Sequence, residues 1–483
     1  MNPELDWQRV HPITPAIKGW KVIVVLLAIV VQQVGVNVSS YEEISRDVGV
    51  LPILAFLGLA LLVGFGYAAI AWRMTRYAID RDTVYLQSGI LFRRQRSARL
   101  DRVQGIDVVQ PLLARLMGLA ELKFEVAGGA NSSVSLAFLR EGDAEQLRST
   151  LLARAAGLES AEGEAAPAAP ERELLSVQAG TLVGSLLRSG FVLTVALFAV
   201  TLTVVSVFLR EPGLAGSMLV GFLPVLAFVW QRFSSEFAFR VAQSPDGIRL
   251  RHGLLESRAQ TVPPGRVQAV RLSQPLLWRR KDWWRVEMNI AGYVQEENKA
   301  SETVLLPVGT RDEALLALWL VIPDLGAPDP RGVLEDALSG SGRERGFVTS
   351  PARAKWLDPI AWRRNGYVLT DRALLVRRGR LDRRLDIVPH ERTQSLGLRQ
   401  GPLQRRLRLA TVALHSTQGP VRPVVAHLGA SAAGALLGAQ AARARLARAQ
   451  AGPEQWMRGL RPVARPVGPG DEPVAPPDPS VPP

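Results

Sequence analysis

The stretch RVQGIDVVQPLL, Arg102–Leu113, returns as RVQAVRLSQPLL at Arg266–Leu277 and, more loosely, as RTQSLGLRQGPL from Arg392. Working outward from it, the three copies keep one register. SGIL, HGLL and RGRL begin at Ser88, His252 and Arg378, and the arginine that opens each phrase follows at the same distance. Gln110, Gln274 and Gln400 then correspond, as do AGG at Ala127, AGY at Ala291 and TQG at Thr417. Upstream the copies continue as YAIDRDTVYLQSG from Tyr77, VAQSPDGIRLRHG from Val241 and YVLTDRALLVRRG from Tyr367. Fixed-register self-similarity of this length marks duplicated units. Their wide separation makes them distinct domains and not a solenoid.

Each unit reads as small and mostly β. TVYLQSGILF, IRLRHGLL and ALLVRRGRL are short aliphatic runs with a glycine at the turn, as hairpins require. AELKFEVAG and WRVEMNIAG alternate apolar with polar residues, the period of a half-buried strand. PLLARLMG and its counterparts predict a short helical turn opened by proline. A helix closes each unit: GDAEQLRSTLLARAAG in the first, the run after the capping box Thr310-Arg-Asp-Glu313 in the second, and Ala430 to about Ala449 in the third. About seven short strands and one helix outline a pleckstrin-homology-like barrel.

The phrases Asp101-Arg102-Val103-Gln104 and Gln110-Pro-Leu-Leu with Gly118, preceded by the Tyr77–Leu91 hairpin, carry a resemblance. The chain resembles the bacterial PH-like domain family of membrane proteins, the YdbT-like proteins. That resemblance implies transmembrane hairpins combined with repeated PH-like domains. The second unit departs at Asp282, which stands where Gly118 does, and at Pro263-Pro264-Gly265; the third has Arg408 at the glycine position.

Composition agrees with a membrane setting. The 483 residues include 58 Lys+Arg against 44 Asp+Glu, a net charge of +14, and no cysteine. Disulfides and thiolate metal sites are therefore excluded, and the basic balance suits an anionic partner. Four uncharged segments, Val22–Val38, Gly49–Trp72, Ser189–Leu209 and Gly213–Trp230, approach the length of about 20 apolar residues that crosses a bilayer. They predict two transmembrane hairpins. The connection SSYEEISRDV is acidic, whereas Arg9, Lys18, Lys21, Arg73, Arg76, Arg188 and Arg232 lie on the opposite side. Both termini and all three units are thus expected in the cytoplasm of a bacterial, multi-pass plasma-membrane protein.

The predicted fold is an α+β multidomain membrane protein, with four transmembrane helices and three cytoplasmic PH-like barrel-and-helix domains. The hairpins span 19–72 and 181–232, the domains 73–156, 233–325 and 366–450. Residues 157–180 and 326–365 read as linkers, and 451–483 as a proline-rich disordered tail.

No catalytic constellation emerges. His11, His252, His390, His415 and His427 have no metal-ligand spacing, and no P-loop, dinucleotide fingerprint or nucleophile elbow occurs. The apolar segments lack ionisable groups, which disfavours an ion-coupled transporter. No cofactor or metal is called for, and no stacking platform for nucleic acid accompanies the charge.

Binding surfaces remain. Tyr367–Arg408 holds eleven arginines against four acids. The candidate lipid- or partner-binding residues are Arg377, Arg378, Arg380, Arg383 and Arg384, with Arg405, Arg406 and Arg408 beyond them. Arg93, Arg94 and Arg96 form a smaller cluster in the first unit. WRRKDWW adds Trp278, Arg279, Arg280 and Lys281; Trp278 is expected exposed at headgroup level, with Trp283 or Trp284 in the core. The reading is a non-enzymatic scaffold or adaptor that binds cytoplasmic-leaflet anionic lipids and a membrane-protein partner, with a smaller single PH-like domain protein as one candidate. A transporter or export component gated by the units, and a dedicated lipid sensor, are the rival readings.

Overall fold

Glycine placement shows how the repeated hairpins close. Gly89, Gly253 and Gly379 occupy the same position in the three copies and all have positive φ, 114°, 113° and 73°. A side chain at Gly253 would sit 1.9 Å from the Glu256 carbonyl oxygen, so the turn admits only hydrogen there. The computed structural model describes residues 7–9, 14, six positions between 58 and 70, and then 72–80, 83–89, 94–99, 103–126, 134–155, 172–209, 225–244, 247–263, 265–291 and 303–450.

Among the described residues the strands form four sheets. The first contains β1 (Gln8–Arg9), β2 (Arg76–Ile79), β3 (Thr83–Ser88) and β4 (Arg94–Arg99), in that order. The second takes β5 (Val103–Pro111), β6 (Leu119–Val126), β7 (Val134–Arg140), β8 (Arg172–Ser176), β9 (Arg240–Ser244), β10 (Gly247–His252) and β11 (Glu256–Val262), ordered β7-β6-β5-β11-β10-β9-β8. The third takes β12 (Val267–Gln274), β13 (Trp284–Ile290), β14 (Val304–Gly309), β15 (Val348–Thr349), β16 (Gly366–Leu369), β17 (Ala373–Arg378) and β18 (Arg383–Pro389), ordered β14-β13-β12-β18-β17-β16-β15. The fourth is β19 (Ser395–Arg399), β20 (Leu409–His415) and β21 (Val424–Gly429).

Each repeat therefore has seven strands, divided four and then three, but the sheets do not respect the repeats. The three-strand half of one unit pairs edge to edge with the four-strand half of the next. β5 meets β11 with Val108 opposite Ala259, and β12 meets β18 with Leu272 opposite Leu385. Leu272 is the counterpart of Val108 in the aligned copies, and Leu385 that of Ala259. The two joints thus share one register, which answers why the phrase beginning at Arg102 recurs: its strand is the joining strand. One apolar core runs from Leu175 and Phe239 of the second unit through to Leu375 and Ile387 of the third.

From Leu112 onward, the α-helices among the described residues are α1 (Leu112–Leu116), α2 (Glu141–Ala155), α3 (Ala179–Leu187), α4 (Gly190–Leu209), α5 (225–236), α6 (Arg311–Val321), α7 (Pro330–Leu338), α8 (Pro402–Arg406) and α9 (Ala430–Gln450). α6 starts at the predicted capping box: the Thr310 N–H donates to Glu313 Oε2 at 2.7 Å, and the Glu313 N–H to Thr310 Oγ1 at 3.4 Å. Residues 326–365, read as a linker, carry α7, whose Leu334, Ala337 and Leu338 are fully buried in the shared core. Asp329 caps it by accepting from the Gly332 N–H at 3.0 Å.

The four-span expectation is corrected. Among the described residues, α4 is the one helix long and apolar enough to cross a membrane, with 20 residues and a mean hydropathy of 2.6. The segment Gly213–Trp230 is described only from 225, as the start of α5, which continues past Trp230 and brings Arg232 and Glu236 against protein. An uncharged run fixes length and polarity, but it does not fix whether the helix stands free or packs beside a charged surface. The first segment, most of the second, the connections at 39–48 and 210–212, residues 157–171 and the tail after 450 lie outside the described residues.

Candidate functional site

The foot of α4 rests on the joint between the second and third units. A cleft of about 630 Å³ opens there, rimmed by Phe191 of α4, Phe228 of α5 and Trp278, and floored by charged residues of β12, β13 and the start of β18. Phe191 and Phe228 meet edge to face with centroids 4.9 Å apart. Arg285 donates to Glu236 at 2.7 Å and to Glu287 at 3.0 Å, and Arg232 lies 3.4 Å from Glu236.

Burial alone would raise the Glu236 carboxyl, but Arg285 and Arg232 beside it hold it below the usual range. Burial likewise opposes the charge on Arg285, and Glu236 with Glu287 overcomes it, so the guanidinium stays protonated. Burial lowers Arg232, and repulsion from Arg285 adds to that. Deeper in the joint, Arg271 grips Asp386 through two bonds of 2.6 and 3.1 Å, with Asp386 wholly buried. Both charges sit in the joint's cross-strand register, Arg271 opposite Asp386. The cleft thus presents paired, fixed charges under an aromatic rim. No cluster of residues able to hold a metal occurs among the described residues.

The structure brings two of the predicted basic clusters together. Arg279 donates to the carbonyls of Arg380 and Leu381, the latter at 3.1 Å, so the loop after β12 meets the β17–β18 turn. Arg280, Lys281 and Arg380 are exposed around that contact. Burial, with repulsion from Arg383 and Arg380, lowers the Arg279 guanidinium. Arg378 lies 3.5 Å from Asp386, Arg383 donates to Gln274 at 3.4 Å, and Arg384 pairs with Asp382. Arg405, Arg406 and Arg408 are exposed on and after α8. Arg96 is exposed on β4 and Arg94 begins that strand, while Arg93 lies outside the described residues.

Two placements differ from the reading of the sequence. Arg377 is not on the basic surface. It is fully buried 4.0 Å over the Phe347 ring, donating to the Arg364 carbonyl at 3.1 Å and the Asp336 carbonyl at 2.9 Å. Trp278 is 2% exposed, because α3, the short helix leading into α4, covers it; its indole N–H donates to the Ser185 carbonyl at 3.1 Å. Trp284 is in the core as expected, and Trp283 packs under Arg188 of the same helical entry. Arg232, Glu236, Arg271 and Arg285 were missed. For Arg271 a signal existed: it is the single charge in the strand VQAVRLSQ, set between Val270 and Leu272.

Comparison with known proteins agrees with this architecture. The bacterial PH domain family model matches residues 24–155, 190–315 and 350–444. The chain belongs to the bacterial PH domain family. Among curated proteins, the UPF0699 transmembrane protein YdbT of Bacillus subtilis (strain 168) is 20% identical over 280 residues. The match covers 52% of this chain and 57% of that protein, so the chain spans little more than half the length of this relative.

Proposed function

We propose that this bacterial PH domain protein is a membrane-associated, non-enzymatic scaffold, which presents its units as one rigid body to a membrane-protein partner and to anionic headgroups. The observation that carries the reading is the pair of equal-register joints. Units strung on flexible connections act independently, whereas units sharing sheets hold their surfaces at fixed spacing, as a scaffold requires. Membrane association is supported by α4, whose Phe198, Val207 and Phe208 are 67%, 73% and 85% exposed, and by the transmembrane description of the B. subtilis relative. A contiguous apolar surface of that kind calls for lipid or protein cover. Arg280, Lys281 and Arg380 cluster at the joint that supports the foot of this helix, which supports a contact with anionic headgroups.

The test is affinity capture of the tagged full-length protein from its native membrane, with co-purifying protein and lipid both identified by mass spectrometry. A stoichiometric membrane-protein partner together with enriched anionic lipid is the expected result. The triple variant Arg280→Glu, Lys281→Glu, Arg380→Glu should keep the protein and lose anionic lipid. Counting only the three cations removed, at about 1 kcal/mol each, that loss is at least on the order of a hundredfold in affinity at low salt. Enrichment of one lipid with no protein partner would overturn the scaffold reading.

A further inference from the structure

The two internal joints leave a matching half open at each end of the described chain. Among the described residues, β4 is the last strand of the first sheet and β19 the first strand of the fourth. β4 is the counterpart of β11 and β18, and β19 the counterpart of β5 and β12. Each end therefore carries the half that the other lacks.

Burial separates filled from open positions. Leu398 on β19 is 52% exposed, whereas its counterparts Val108 and Leu272, inside the joints, are 4% and 0% exposed. Gln95, Arg96 and Ser97 on β4 are exposed, whereas Gln260 and Asp386, the counterparts of Arg96, are completely buried. An open strand edge is a template for a further strand, and an aliphatic side chain exposed where two homologous ones are buried marks the missing cover.

We propose that a second copy of this chain docks here, its β4 adding antiparallel to β19, so that PH-like units continue head to tail from one chain to the next. This goes beyond the scaffold reading and does not depend on lipid binding. The internal joints fix the register: Leu398 falls opposite Gln95, Gly397 opposite Arg96 and Arg399 opposite Arg94. The last pairing sets the strength. The corresponding internal pairs are Val109 with Arg258 and Ser273 with Arg384, one arginine each, whereas the junction between copies opposes two. Like charges directly across a sheet destabilise it. The contact is consequently weaker than the internal joints and strengthens when salt screens the pair. Being heterologous, it builds chains or rings and not a closed two-fold dimer.

Because the chain contains no cysteine, single cysteines report this contact without background. Full-length Leu398→Cys and Gln95→Cys are purified separately, reconstituted into the same vesicles and exposed to a mild oxidant. The mixture should give a disulfide-linked dimer that neither variant gives alone. Arg399→Cys paired with Gln95→Cys, one residue out of register, should give several-fold less. Adding Arg399→Ser to the Leu398→Cys chain should raise the linked fraction several-fold at low salt and abolish its salt dependence. Equal linkage in and out of register, or linkage of position 398 only to a different polypeptide in native membranes, would overturn the proposal.

Discussion

Gly118, Asp282 and Arg408 end the helical turn of the three repeats, and all three are left-handed, with φ of 65°, 47° and 50°. The backbone demand is thus shared even where glycine is not. Asp282 suits it through its short side chain, whose carboxylate accepts from Gln274 and from the Trp284 indole N–H, each at 3.0 Å. Arg408 has no such compensation from its side chain. Arg408→Gly should therefore raise stability by about 1 kcal/mol, the strain relieved being partly offset by the flexibility glycine adds to the unfolded chain; the shift of the urea midpoint measures it. His252 supplies a pH dependence. Burial against Phe239 lowers its pKa to about 4, although its Nδ1 lies 2.8 Å from the Ser235 carbonyl. The folded protein keeps this ring neutral where the unfolded chain protonates it. Stability is then complete above the ordinary histidine value of about 6.5 and falls as pH drops toward 4, by about 3 kcal/mol in all. His252→Gln should flatten unfolding free energy against pH across that window, and an unchanged slope would assign it elsewhere.

At the scale of elements, the joint of β12 with β18 is held by the buried carboxylate of Asp386, gripped by Arg271 and with Arg378 3.5 Å away. Removing one partner of such a pair leaves the other charge uncompensated and costs about 3–5 kcal/mol, whereas replacing both by apolar residues is close to neutral. Asp386→Ala should thus destabilise the second and third units together by that amount, with Arg271→Met, Asp386→Leu recovering most of it in denaturant unfolding. A recovery absent from the double variant would place the cost in packing or in Arg378, and not in a stranded Arg271. The WRRKDWW loop shows the reach and the limit of local reasoning. Its cations were legible from composition, and a core place for Trp283 or Trp284 from the strand that they begin. The cover over Trp278 was not, since Ser185 and Leu186 belong to a helix some ninety residues upstream. No local pattern encodes that contact.

For the whole molecule, shared sheets predict shared unfolding. If β12 and β18 belong to one cooperative body, their amides should exchange with equal protection in hydrogen-exchange mass spectrometry, and Leu272→Pro in β12 should expose β16–β18 of the third unit as well as its own half. Independent protection of the two halves would return the chain to separate domains. Residues 326–365 belong to this body, because α7 buries its apolar face in the same core. Their glycine, serine and proline content resembled a linker only while their tertiary partners were unknown.

The sequence by itself determined the number of repeats, their strand-rich build, the left-handed turns marked by glycine, the capping box at Thr310 and the apolar character of α4. All of these depend on spacing and composition inside one repeat, or on the likeness of one repeat to the next. The tertiary structure decided which strands pair across repeats, that Arg271 and Asp386 neutralise each other, that Arg377 and Trp278 are buried, and that α4 stands among the described residues as a single candidate span. Edge pairing and burial are settled by groups far apart in the chain, and a strand's own sequence is compatible with more than one neighbour until the fold supplies one.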